Sequence, residues 1–138
     1  MEANLGHLLL QVMRLVGERA RAAAGPDSLF PPEFMALKYF KAHPGTSLST
    51  FAEHIRVKKP TATELLKRLM ARGFLVRVQS KMDKRVFELE ITEEGEKALE
   101  RGEAAFAAQA GVVFSALDAK EQADLIQLLS KITQNNDA

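Results

Sequence analysis

Between Phe74 and Ile91 the spacing of apolar residues changes from three-or-four to two, and helical patterns flank the change on both sides. That switch of period constrains the fold more than any other feature. Phe74-Leu75-Val76-Arg77-Val78-Gln79 reads as one strand and Arg85-Val86-Phe87-Glu88-Leu89-Glu90-Ile91 as a second, with Phe87, Leu89 and Ile91 inward. The polar stretch Ser80-Lys81-Met82-Asp83-Lys84 between them makes the pair a hairpin.

The segment before the hairpin carries two short helical patterns. Leu48–Ile55 is one, with Ser49 as the expected N-cap and Phe51, Ala52 and Ile55 inward. Arg56-Val57-Lys58-Lys59 forms a tight connection to the other, which runs from Pro60 to Arg72 with Ala62, Leu65, Leu66 and Leu69 on its apolar face. Gly73 is a natural residue just past its end. Two short helices around a tight turn, followed by a hairpin, describe a winged helix-turn-helix.

Longer helices lie outside this core. One spans residues 4–24 and ends at Gly25-Pro26-Asp27; another opens at Pro31-Pro32-Glu33 and reaches about Ala42. Thr92 caps a long helix whose first turn holds Glu93, Glu94 and Glu96, and Asp118-x-x-Glu121 is a capping box for the last. The expected fold is mainly α with a small β-hairpin wing, in one domain spanning 1–138. Residues 31–92 would form the DNA-binding region and segments 1–24 and 93–138 the dimerisation helices. Leu5 to Val16, Leu99 to Phe114 and Leu125 to Ile132 are long apolar faces that a small winged core cannot cover. A second copy would cover them; three helices packed on one another within a monomer is the alternative.

Net charge is +1, which argues against a polyanionic partner until its distribution is considered. Residues 56–85 carry ten Lys/Arg against Glu64 and Asp83, net +8, while residues 86–138 are at −7. A compact basic block is the footprint of nucleic-acid binding. The absence of Cys excludes disulfides, thiolate metal sites and thiol-based oxidant sensing. His7, His43 and His54 are far apart in sequence, so no metal and no cofactor is expected. No Gly-rich phosphate loop or Ser/His/Asp set at a motif spacing suggests an enzyme. No apolar run or leader pattern suggests a membrane span or export, and a cytoplasmic location is the default.

The stretch LSTFAEHIRVKKPTATELLKRLMARGFLVR, followed by DKRVFELEITEEG, resembles the MarR family of winged helix-turn-helix transcriptional regulators. Asp83-Lys84-Arg85 is similar to that family's D-x-R wing motif, and Ile91-Thr92-Glu93-Glu94-Gly95 to its Leu-Thr-x-x-Gly junction. Leu117-Asp118-Ala119-Lys120-Glu121 resembles the start of its last helix. The likeness spans nearly the whole chain in element order and is sharpest over 48–95.

The resemblance implies a homodimeric regulator, with repression the expected output, on double-stranded DNA with a pseudo-palindromic operator. Its recognition helix would enter the major groove with Pro60, Thr61, Thr63 and Glu64 toward base edges. Glu64 departs from the basic or amide residue frequent there; it would accept from a cytosine amino group or pair locally with Lys67 or Arg68. Lys58 and Lys59 would meet phosphates at the helix start, and Lys67 and Arg68 would contact phosphates or form local ion pairs. Arg72 either faces DNA or complements the helix dipole. Arg85 would enter the minor groove, steered by Asp83, with Lys81 and Lys84 on phosphates around it. The family likeness further implies release by a small aromatic or phenolic acid. Met13, Phe34, Met35, Tyr39 and Phe40 are either cavity walls for it or plain core. A winged-helix module for protein contacts, without specific DNA binding, is the rival function.

Overall fold

A computed structural model describes residues 4–136; the expected segment ends 1–3 and 137–138 lie outside the described residues. The elements are α1 (Leu5–Ala24), a 3-10 turn (Gly25–Asp27), α2 (Pro31–Ala42), β1 (Thr46–Ser47), α3 (Leu48–Ile55), α4 (Lys59–Ala71), β2 (Leu75–Gln79), β3 (Phe87–Ile91), α5 (Glu93–Phe114) and α6 (Ala119–Asn136). The architecture is helical with one small antiparallel sheet, ordered β1-β3-β2.

Local chemistry sets most boundaries. The Asn4 side chain accepts from the N–H groups of Gly6 and His7 and caps α1, and Gly25 closes it at φ 73°. Glu33 accepts from the Phe30 N–H at 3.0 Å at the start of α2. Asp118 and Glu121 exchange hydrogen bonds of 2.9 and 2.8 Å, so the capping box of α6 is complete. Thr92 Oγ1 accepts from the Gly95 N–H and donates to the Gly73 carbonyl, fastening the start of α5 to the chain just past the end of α4.

The cap of α3 is Ser47, not Ser49: its Oγ accepts from the Thr50 N–H at 3.2 Å. The shift follows from a strand that two residues are too short to announce. Thr46 and Ser47 pair with Leu89 and Glu88, so the chain leaves the sheet extended at Ser47 and turns directly into the helix. The connection from α3 to α4 is made tight by Arg56, which sits in the left-handed region at φ 58°. That conformation costs a non-glycine residue about 1 kcal/mol. α4 begins at Lys59, one residue ahead of the expected Pro60, which occupies its first turn.

Phe40, Phe51, Leu37, Leu66, Leu69 and Leu99 are fully buried and join α2, α3, α4 and the start of α5 in one core with Leu75 and Leu89 of the sheet. Alternation places Leu75, Arg77, Gln79, Phe87, Leu89 and Ile91 on one face of the hairpin. Phe87 was expected inward, yet it is exposed: the wing extends past the core, and the Arg77 guanidinium covers the ring at 3.9 Å. α1 packs along α5 and buries Val16 and Ala20, whereas α6 buries no residue. Leu5, Leu9 and Met13 on α1 and Ile126, Leu128 and Ile132 on α6 all remain exposed. Within the chain, therefore, α1 packs on α5, and α6 is the outer helix left without a buried face.

Candidate nucleic-acid interface

The surface of α4 divides by residue type. Ala62, Leu65, Leu66 and Leu69 face the core, and Pro60, Thr61, Glu64, Lys67 and Arg68 are exposed, with Thr63 half-buried between the two sets. Lys58 is the N-cap of α4 and supplies no side-chain acceptor, so the first N–H groups of the helix stay open beside Lys58 and Lys59. Among the described residues, none of Lys58, Lys59, Lys67, Arg68, Lys81 and Lys84 has a carboxylate within ion-pairing distance. Glu64 is likewise unpaired, so the local pairing with Lys67 or Arg68 is not formed.

The wing is a braced loop. Asp83 Oδ1 accepts from the Arg85 backbone N–H at 3.0 Å and from Nε at 3.1 Å, and Oδ2 accepts from the same guanidinium at 3.2 Å. The Arg85 side chain hydrogen bond, and then its backbone one, hold the Asp83 carboxyl below the usual carboxylate range. The Arg85 side chain is nonetheless 90% exposed.

Between α4 and the wing lies a groove of about 380 Å³ that brings together Ser47, Ser49, Thr63, Lys67, Arg77 and Arg85. Lys58, Lys59, Glu64, Lys81 and Lys84 lie outside its walls. Arg77 belongs to the basic block but was missed as a site residue; its signal was strand alternation, which puts it on the Leu89 face. Arg72 is not in this face. Its guanidinium donates to Glu33 at 3.1 Å and to the Ser28 carbonyl at 3.1 Å and lies over the Phe74 ring, a role in the fold that neither alternative foresaw.

A second cavity, of about 630 Å³, opens between α1, α2 and α5. Met13, Phe34, Met35 and Phe106 line it, and Arg14 and Arg21 supply its positive charge. Tyr39 and Phe40 are not in its wall: Phe40 is core, and Tyr39 stacks against Phe51, His43 and His54. No group of three or more His, Cys, Asp and Glu that could hold a metal occurs among the described residues. No helix among them is long and apolar enough to cross a membrane.

Comparison with known proteins meets this geometry. The MarR family model matches residues 29–87, from the loop before α2 to the start of β3. The HTH-type transcriptional regulator BilQ of Clostridium symbiosum is 30% identical over 100 residues, covering 72% of this chain and 69% of that protein. The chain belongs to the MarR family. Its members here include the HTH-type transcriptional repressor Rv2887 of Mycobacterium tuberculosis, 29% identical over 131 residues, which cover 95% of this chain and 94% of that one. Crystal structures of Rv2887 with salicylic acid and with DNA superpose with TM-scores of 0.72 and 0.73, each covering 95% of this chain, and 97% and 98% of theirs. Apo MarR from E. coli, 21% identical, shares the fold with a TM-score of 0.78 over 96% of this chain and 98% of its own. As a MarR-family chain, the protein is a winged helix-turn-helix transcriptional regulator.

Proposed function

We propose that the protein is a homodimeric transcriptional repressor that binds a pseudo-palindromic DNA operator. α4 enters the major groove and presents Pro60, Thr61, Thr63 and Glu64 to base edges. Lys58, Lys59, Lys67 and Arg68 neutralise phosphates beside it. The wing carries Arg85 to the minor groove with Asp83 as its brace, and Lys81 and Lys84 on flanking phosphates. The observation that carries this reading is the cluster of six exposed lysines and arginines at the start of α4, along it and on the wing, none of which has an acidic partner among the described residues. Clustered on one face, such cations can each take a phosphate and release its counterions.

In this reading residues 31–92 bind DNA and segments 1–24 and 93–138 dimerise in the cytoplasm. The exposed apolar residues of α1 and α6 support the second part. The cavity between α1, α2 and α5 takes a small aromatic acid: its walls are apolar, and Arg14 and Arg21 suit a carboxylate. The salicylic acid complex of Rv2887 supports the same ligand class. No catalytic role is assigned to any residue.

Selection of bound duplexes from a random pool, followed by gel shifts at graded salt, tests the reading. A palindromic consensus with affinity falling steeply as salt rises is expected. Absence of retardation at low salt would instead make the wing a protein-contact module.

A further inference from the structure

Met82 is 94% exposed at the tip of the wing, the most exposed of the large apolar side chains in the described chain. Its position is not loose. The buried Ser80 hydroxyl accepts from the Met82 and Asp83 N–H groups at 3.2 and 3.3 Å. Val86 N–H donates to the Asp83 carbonyl, Ser80 N–H to the Val86 carbonyl, and the Gln79 amide to the Lys84 carbonyl at 2.7 Å. Every residue from Ser80 to Arg85 other than Met82 is polar or charged. A braced loop therefore holds one thioether in water between cations, where it adds nothing to the packing of the fold.

We propose that Met82 is an apolar contact of the wing with the DNA minor groove, set between the phosphate-binding lysines. The proposal rests on the reading of the wing as the minor-groove element. The walls of that groove are deoxyribose rings, whose C–H surfaces offer an apolar lining between two rows of phosphates. Lys81 precedes Met82 in the chain and Lys84 follows it, a pair suited to the charged rows, and the thioether, like the Arg85 guanidinium, suits what lies between them. Methionine is unbranched and adapts to an irregular surface, and apolar side chains, methionine among them, serve minor-groove proteins as wedges at base steps. Such a contact releases no counterions, so its share of the affinity is independent of salt. This separates Met82 from its basic neighbours.

The test compares full-length wild type with M82A, M82L, K84A and R85A on the selected operator over a range of salt. Because Met82 is exposed, M82A and M82L are expected to fold as wild type does; circular dichroism checks all four variants. M82A is expected to weaken binding about tenfold at every salt concentration, with the salt slope unchanged. M82L, apolar and similar in volume, is expected to stay within about twofold of wild type. K84A is expected to lower the salt slope by about one per wing. If M82A binds as wild type does while R85A loses affinity, the wing contacts DNA without Met82 and the proposal is overturned. Equal losses in M82A and M82L overturn the apolar character of the contact. If R85A also binds as wild type does, the reading of the wing itself fails, and the proposal with it.

Discussion

Arg72 at the end of the recognition helix donates to Glu33 in the first turn of α2 across 3.1 Å, and Glu33 is only 3% exposed. The other Glu33 oxygen accepts from the Phe30 N–H, and Arg72 also reaches the Ser28 carbonyl. One pair thus fixes the far end of α4 against the loop between α1 and α2. Arg72→Met would leave a buried carboxylate without its cation and is expected to cost about 2–3 kcal/mol. Glu33→Gln keeps an acceptor for Phe30 and is expected to cost about 1 kcal/mol. Urea unfolding of the two variants checks the order; equal losses would deny the charge its role.

The Asp83 carboxyl is held below the usual carboxylate range by Arg85. A depressed pKa means that the brace is complete above the ordinary aspartate range and is lost as pH falls through the lowered value. Carbon-detected titration of Asp83 should therefore show a midpoint below that of an unperturbed aspartate. In Arg85→Ala it should rise toward the ordinary range, though not fully, because the backbone N–H of residue 85 still donates to Asp83. An unchanged midpoint would show that the pair is not formed in solution.

Gly95 has no room for a side chain. A Cβ there would run into the Phe74 carbonyl oxygen and the Ile91 side chain, and the backbone atom cannot move aside cheaply. Gly95→Ala is expected to destabilise the fold by about 2 kcal/mol or more by forcing α5 away from the wing. Gly111→Ala on the same helix meets open space, and it is expected to stabilise the helix slightly. Thermal unfolding of both variants measures the contrast.

Leu128, Leu129 and Ile132 are exposed on a helix that buries nothing of its own chain. Leu129→Asp with Ile132→Asp is expected to convert a dimer to a monomer in sedimentation equilibrium, and to abolish operator binding at concentrations where wild type is saturated. Retention of the dimer would move the interface elsewhere.

Glu64 stands exposed on α4 without a basic partner among the described residues. Glu64→Gln removes a charge from beside the phosphates, so binding to random duplex is expected to tighten. A change of preference at one operator position, worth about 1–3 kcal/mol, would mark Glu64 as a base reader. Tighter binding with the same consensus would mark it as a bystander.

The sequence by itself determined what depends on neighbours along the chain. Periodicity placed the helices and the hairpin, and cap chemistry placed the starts of α5 and α6, because those signals act within one turn or one strand. The basic block marked the surface proposed to face DNA, because its residues are contiguous. The tertiary structure decided what depends on distant partners. A two-residue strand paired across the sheet moved the cap of α3 from Ser49 to Ser47. The limit of the core left Phe87 to be covered by Arg77. Arg72 was drawn out of the DNA face by Glu33, 39 residues away. Met13, Phe34 and Met35 became cavity walls and Phe40 became core, because three helices converge on the first set and close over the second. Apolar side chains at helical spacing look alike in sequence, and only the packing of other elements distinguishes a wall from an interior.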